Sequence, residues 1–352
     1  MTDQILFNQI GDWGVVTLNR KKALNALTWP MVTAMRAQLT EWASDASVKA
    51  VMVKGAGERA FCAGGDIRWL HDTAKEDPEH ACEFFREEYR NNVLIYHYPK
   101  PYVALVDGIV MGGGVGVSVH GDFRVASSNT LFAMPETGIG LFPDVGGGHF
   151  MPRLDDGFGL YYALTGARAK AAGCLAAGIA THFTATEQYD EMEQALLDAP
   201  LSEKAHGDIE AVLDRFAGDP GPAGVNDHRA DILRLFQGHE TLDDLVRGLE
   251  TDDTKFAAKM LKTLARMSPT SLRLTFEQMK RGSTLDFDET MKMEFRMVRR
   301  VMEGHDFFEG VRAQIIDKDR EPKWSPATLA AVNDSEIAEY FDGLGDAELV
   351  LP

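Results

Sequence analysis

Between Ala60 and Gly148 three glycine-rich turns interrupt the apolar runs of this chain. They are Phe61-Cys62-Ala63-Gly64-Gly65-Asp66, Met111-Gly112-Gly113-Gly114 and Asp144-Val145-Gly146-Gly147-Gly148. The apolar segments around them are short and read as strands: 15–18, 49–53, 102–106, 124–126 and 131–133. Between these lie helical stretches. One starts at Thr28 as N-cap, with Pro30 in its first turn, and puts Met31, Met35, Leu39 and Trp42 on one face. A second, mainly helical stretch runs from Asp66 to about His97. A third opens at Gly112 or Gly113 and runs toward His120. Strands alternating with helices imply an α/β core. Without a Cβ, two glycine turns can bare two backbone N–H groups toward one point. Such a pair stabilises a carbonyl oxygen as it gains negative charge. Glu136 and Asp144 sit just before and within the third turn, and carboxylates beside such a hole suggest acyl chemistry, with the acids as base or nucleophile.

From about Ala185 the strand signals fade. Segments 186–198, 201–216, 228–237, 241–249, 253–266, 269–280 and 287–303 read as helices, with a loop at Asp219-Pro220-Gly221-Pro222. The expected division is therefore an α/β part over 1–185 and a helical part over 186–352. The run from Tyr102 to Val119 is apolar, but Asp107 and five glycines interrupt it. A buried strand and helix fit it better than a membrane span.

The 352 residues include 36 basic and 54 acidic side chains, a net charge of -18. This excludes nucleic acid as a general partner and requires a local basic patch for any anionic ligand. Three cysteines, Cys62, Cys82 and Cys174, form no C-x-x-C pair. That argues against zinc and redox motifs and for a reducing compartment. The first residues read as neither a secretory nor a transit signal, so the expectation is a cytoplasmic protein without a membrane anchor.

Several motifs fail on inspection. Gly55-Ala56-Gly57-Glu58-Arg59-Ala60 has the spacing of a dinucleotide fingerprint, but a loop follows where a helix is needed. No G-K-[ST] sequence exists, which excludes a Walker A loop. Gly116-Val117-Ser118-Val119-His120 lacks the last glycine of a nucleophile elbow. Ser118, His120 and His149 read as packed residues. Cys62 reads as a small buried filler. Metal-ligand spacing of histidines is absent, and no metal is expected.

The ordered strings A-F-C-A-G-G-D-I, K-P-Y-V-A-L-V-D-G, M-G-G-G-V-G and F-A-M-P-E-T-G-I-G-L-F-P-D-V-G-G-G resemble the crotonase (enoyl-CoA hydratase/isomerase) superfamily. With F-F-R-E-E-Y, S-V-H-G, G-I-A-T-H-F and the tail E-G-V-R-A-Q-I-I-D-K-D-R-E-P-K-W, the likeness covers nearly the whole chain. It is nearest the branch that hydrolyses 3-hydroxyisobutyryl-CoA, an intermediate of valine breakdown. The resemblance implies a crotonase-like ββα spiral core with a helical C-terminal region, in which the helices at about 186–260 are an insertion. It implies an oxyanion hole made by the N–H groups of Gly65 and Gly113. It places the CoA adenine along Ala63, Gly64, Asp66 and Ile67, its phosphates near Lys22, and Gly112 beside the substrate.

The same resemblance aligns Glu136 with a catalytic glutamate of hydratases. Their second glutamate falls on Gly116, which has no side chain, whereas Asp144 stands where hydratases have glycine. The hydrolases carry Glu136, Asp144 and a further substrate-contacting acid at Glu88. Thioester hydrolysis is the expectation: Glu136 attacks the carbonyl to give a mixed anhydride or else activates water, Asp144 orients the 3-hydroxyl group or assists proton transfer, and Glu88 positions the acyl group. CoA enters as part of the substrate, and no separate cofactor is implied. The rivals are a hydratase or isomerase and a non-catalytic CoA-binding protein. The family's usual assembly is a trimer or hexamer, and the inserted helices stand where they can alter the trimer contact.

Overall fold

A computed structural model describes residues 3–351. Ten strands form two sheets: β1 (Ile5–Ile10), β2 (Trp13–Leu18), β3 (Ala50–Gly55), β4 (Ala60–Cys62), β5 (Tyr102–Val106), β6 (Ile109–Met111), β7 (Phe123–Ala126), β8 (Leu131–Ala133), β9 (Ala169–Lys170) and β10 (His182–Phe183). The larger sheet runs β1-β2-β3-β5-β7-β10 and the smaller β4-β6-β8-β9. Only β1 against β2 and β8 against β9 are antiparallel. The pairs β3/β4, β5/β6 and β7/β8 each give one strand to either sheet before the chain returns, so the core is a ββα spiral.

Side chains in the larger sheet alternate between two cores, as a period of two requires. Val16, Leu18, Val51, Val53, Tyr102 and Ala104 face inward into a cluster that extends from Ile5 to Leu349. Trp13, Val15, Ala50, Met52, Val103 and Val125 face outward. There they are covered by helices Thr186–Asp198 and Ala205–Arg215, through Tyr189, Met192, Leu196, Ile209 and Leu213. With both faces covered, the strands β2, β3 and β5 read as nearly continuous apolar runs. The indole N–H of Trp13 donates to the Leu196 carbonyl at 2.9 Å and ties the sheet to this cover.

The helices that shape the site are α1 (Trp29–Ser44), α2 (Ile67–Glu76), α3 (Pro78–Tyr96) and α4 (Gly113–Gly116). The expected helix over 66–97 is broken at Asp77, whose side chain caps α3 by accepting from the His80 N–H at 3.1 Å. The expected helix toward His120 is a single turn, α4, followed by tight turns. Ser118 therefore lies just past it, and its hydroxyl returns to the Gly114 carbonyl at 2.8 Å. Thr28 stands at the N-cap of α1 without a capping bond, because its hydroxyl donates to the Gln4 side chain at 3.0 Å instead. Among the described residues no helix is long and apolar enough to cross a membrane, and no group of three His, Cys, Asp or Glu could hold a metal ion.

Candidate active site

Three neighbouring parallel strands of the smaller sheet end on the parts of one pocket. The Gly64-Gly65 turn follows β4, Gly112-Gly113 follows β6, and Glu136 follows β8. Helix α3 supplies Glu88, and the Asp144 turn closes the far side. These residues line a cavity of about 160 Å³ together with Ala63, Ile67, Phe84, Phe85, Leu141 and Ile315.

The first turn is fixed by backbone pairing with the segment before α1. Leu27 N–H donates to the Gly64 carbonyl and Asp66 N–H to the Leu27 carbonyl, both at 2.8 Å. In such a parallel bridge the residue between, Gly65, points its own N–H away from Leu27. Gly113 is the first residue of α4, where an N–H has no partner within the helix. Among the described residues neither amide has a hydrogen-bond acceptor. The two turns touch: a Cβ built on Gly113 would lie 3.4 Å from the Gly65 nitrogen and would overlap Glu88 Oε1. Any side chain at 113 would have to displace the Glu88 carboxyl from its place.

Three carboxyl groups share this pocket, and all are buried: Glu88 is 2%, Asp144 4% and Glu136 5% exposed. Glu88 Oε1 and Glu136 Oε2 have no hydrogen-bond partner among the described residues. Burial raises Glu88 well above the usual carboxyl range, and the Asp144 charge raises it further. The same two causes, in that order, raise Glu136, against a weaker pull from its own backbone N–H. Asp144 is pushed up to about 7 by burial, against the Tyr89 hydroxyl that donates to it at 2.9 Å. Three acids so placed cannot all ionise, so the pocket holds protons at neutral pH.

That proton load has a consequence for stability. The Asp144 carboxyl titrates near 7 in the fold against 3.8 as its ordinary value. A folded pKa raised in an acid costs stability progressively as pH climbs through that window, and the cost is complete above it. Asp144→Asn is therefore expected to melt at a higher temperature than the parent at pH 8. The advantage should shrink as pH falls and vanish below the ordinary carboxyl pKa. Thermal melts from pH 4 to 8.5 check this; a melting temperature lowered at pH 8 would contradict it.

Gly116, the last residue of α4, is sealed. A Cβ there would lie 2.7 Å from the Val145 Cβ and 2.8 Å from Asn92 Nδ2. A glutamate side chain at this position has no room.

The remaining sequence candidates fall outside the pocket. Asp66 caps α2 by accepting from the Trp69 N–H at 3.3 Å and pairs with Arg20 at 2.9 Å. Lys22 is exposed in a single 3-10 turn, Lys21–Ala23, and does not line the cavity. Cys62 is fully buried, and burial pushes its thiol up to about 12, which suits a filler rather than a nucleophile.

Sequence reasoning missed the residues that hold the Asp144 turn. Tyr89 was visible beside Glu88, but nothing local marked its hydroxyl for Asp144. Glu294 and Gln278 reach the turn from distant parts of the chain, whereas His120, read as a packed residue, does pack against it. Val145 has φ +52°, rare for a β-branched residue.

The sequence profile described as enoyl-CoA hydratase/isomerase matches residues 13–341. The chain is 47% identical to "3-hydroxyisobutyryl-CoA hydrolase, mitochondrial" of Danio rerio, covering 99% of this chain and 92% of that one. The protein of the same name from Homo sapiens is 44% identical over 99% of this chain and 90% of its own. Among solved structures, a carnitinyl-CoA dehydratase from Mycobacterium thermoresistibile is 39% identical, with a TM-score of 0.91 and 99% of both chains covered. An enoyl-CoA hydratase from Rhodobacter sphaeroides is 36% identical, with a TM-score of 0.90, over 99% of this chain and all of that one.

Proposed function

This chain belongs to the enoyl-CoA hydratase/isomerase family, whose fold it has, and we propose that it is a thioester hydrolase acting on 3-hydroxyisobutyryl-CoA. The products are 3-hydroxyisobutyrate and free CoA, a step of valine breakdown. One observation carries the reading: three buried acids face two unpaired glycine N–H groups in a cavity of about 160 Å³, large enough for a short branched acyl group.

The thioester oxygen sits between the N–H groups of Gly65 and Gly113, at the positive end of α4. In the ligand-free pocket Asp144 is the least raised of the three acids and the first to ionise. In the reacting complex the proton of Glu136 passes to Asp144, so that Glu136 is the carboxylate and Asp144 and Glu88 hold protons. Glu136 either adds to the carbonyl carbon or takes a proton from a water that does so. The oxyanion collapses, the C–S bond breaks, and the sulfur leaves with a proton from Asp144. On the first route water then opens the mixed anhydride between the acyl group and Glu136. Glu88 and Asp144 orient the 3-hydroxyl group of the substrate.

The names of the two solved relatives favour dehydration or hydration instead. Two acids flanking one water suit that chemistry, but the position of the second acid is the sealed Gly116. A purely CoA-binding protein would have no use for three acids whose burial raises their pKa values.

The test mixes the protein with 3-hydroxyisobutyryl-CoA, propionyl-CoA and crotonyl-CoA and follows free thiol and the enoyl absorbance. Thiol release, fastest with the hydroxylated acyl group, is expected. Loss of enoyl absorbance without thiol would overturn the proposal. In single turnover in oxygen-18 water, the route through Glu136, with water adding to the glutamyl carbon of the anhydride and breaking its bond to the bridging oxygen, gives a first product acid without label and leaves the label in Glu136. Direct attack by water labels the acid at once.

Our reading of location is a reducing compartment, on the three free and buried cysteines. We favour the cytoplasm, whereas the hydrolase relatives carry the word mitochondrial in their names; fractionation of the source cells separates the two. Assembly into a trimer or hexamer is likewise open to sedimentation, and the substrate is the one partner proposed.

A further inference from the structure

The turn that carries Asp144 is held from outside at four backbone groups. Glu294, on the helix Phe287–Val301 and fully buried, accepts the Gly146 N–H on Oε2 and the Gly148 N–H on Oε1, each at 2.8 Å. Gln278, on the helix Pro269–Gly282, donates from Nε2 to the Pro143 carbonyl at 2.8 Å and to Glu294 Oε1 at 3.0 Å. His120 Nε2 donates to the Val145 carbonyl at 2.7 Å. Burial keeps that imidazole neutral at physiological pH by lowering it to about 4. Between these anchors Val145 is left-handed, a conformation that persists only where the surroundings enforce it. The side chain so presented is Asp144, turned toward Tyr89 and the cavity.

Burial pushes the Glu294 carboxyl up to about 8, against the pull of the Gly146 and Gly148 N–H groups and the Gln278 amide, and a buried carboxyl that touches neither the cavity nor a cation is costly. Acceptance of two backbone N–H groups at once, one on each oxygen, is what it supplies, and glutamine cannot replace it, because its amide nitrogen would face an N–H. We propose that Glu294, seated by Gln278, is a positioning residue: it holds the 143–148 turn so that the Asp144 carboxyl is fixed against the acyl pocket. This rests on the hydrolase reading for its catalytic consequence, but not for its geometry.

Two measurements test it. In the thiol-release assay Glu294→Gln is expected to lower kcat by about 10²-fold, the effect of a misplacement near 1 Å, with KM changed less than about threefold and the melting transition retained. A folded Glu294→Gln with kcat within about twofold of the parent overturns the proposal, since a merely structural residue alters melting alone. If that variant does not fold, Gln278→Met carries the assay: a smaller loss in kcat at constant KM supports the clamp, and an unchanged kcat overturns it. The second measurement needs no substrate. Carbon-13 NMR of the ligand-free protein, with Asp144→Asn to assign the resonance, follows the Asp144 carboxyl. Its titration is expected near 7 in the parent and lower by a unit or more in the variant, as the carboxyl swings toward water. An unshifted titration overturns the proposal even if the parent releases no CoA, an outcome that would separately remove the hydrolase reading.

Discussion

Glu136→Gln is expected to lower CoA release by about 10³-fold, within the range that general acid–base groups contribute. The substitution keeps the shape of a buried side chain whose Oε2 has no partner to lose. It also removes an acid whose charged form burial disfavours, so the variant should fold at least as well as the parent. Loss of rate with an intact melt isolates chemistry from stability. Binding should survive, because the hole and the cavity walls are untouched. Steady-state thiol release together with calorimetric titration of a non-hydrolysable thioether analogue checks both halves. A variant that keeps a tenth of parental kcat would remove Glu136 from the reaction.

Gly113→Ala should be nearly as damaging for a different reason. The added methyl group would overlap Glu88 Oε1 and lie 3.4 Å from the Gly65 nitrogen, in the space assigned to the thioester oxygen. The N–H of residue 113 remains, but crowding the oxygen out of the hole is expected to cost as much as the loss of one donor, about 10²–10³-fold in kcat, and the displaced Glu88 adds to that. The expected signature differs from that of Glu136→Gln: the analogue should also bind more weakly, because the methyl group occupies part of its site. Unchanged analogue binding with unchanged thiol release would show that the carbonyl does not sit there. The helix termini around Gly113 are short, so the melt should move little.

How far the sequence carried these arguments depends on the range of each contact. The amphipathic helices over 186–301 were legible because their period is local: the expected 186–198 is the observed Thr186–Asp198. Strands β5 and β8 were legible from compact apolar runs. In contrast, β9 and β10 have two residues each, too few to show any period, and exist because the neighbouring strand is there. Glu88, Glu136, Asp144 and the two glycine turns were found through their strings, and they meet in one pocket. Asp66, from one of the same strings, and Lys22, from the link between β2 and α1, were assigned to CoA rather than to the acyl group, and they do not line this cavity. Asp66 caps α2 and pairs with Arg20, contacts that a string cannot display. Glu294 acts across 146 and 148 residues. On its own helix it is one more buried position, and its carboxylate gains meaning only once the Asp144 turn lies against it.

The inward-facing apolar cluster runs without a break from Ile5 to Leu349. Damage near either end of the chain is therefore transmitted to the whole. A substitution at Leu349, far in sequence from every reacting group, would deplete the folded population and be scored in a cell as lost turnover. Purified at low temperature, the same variant would work at full speed. For this chain a deficiency phenotype and a defective pocket are separate diagnoses, and abundance must be measured before a residue is credited with chemistry.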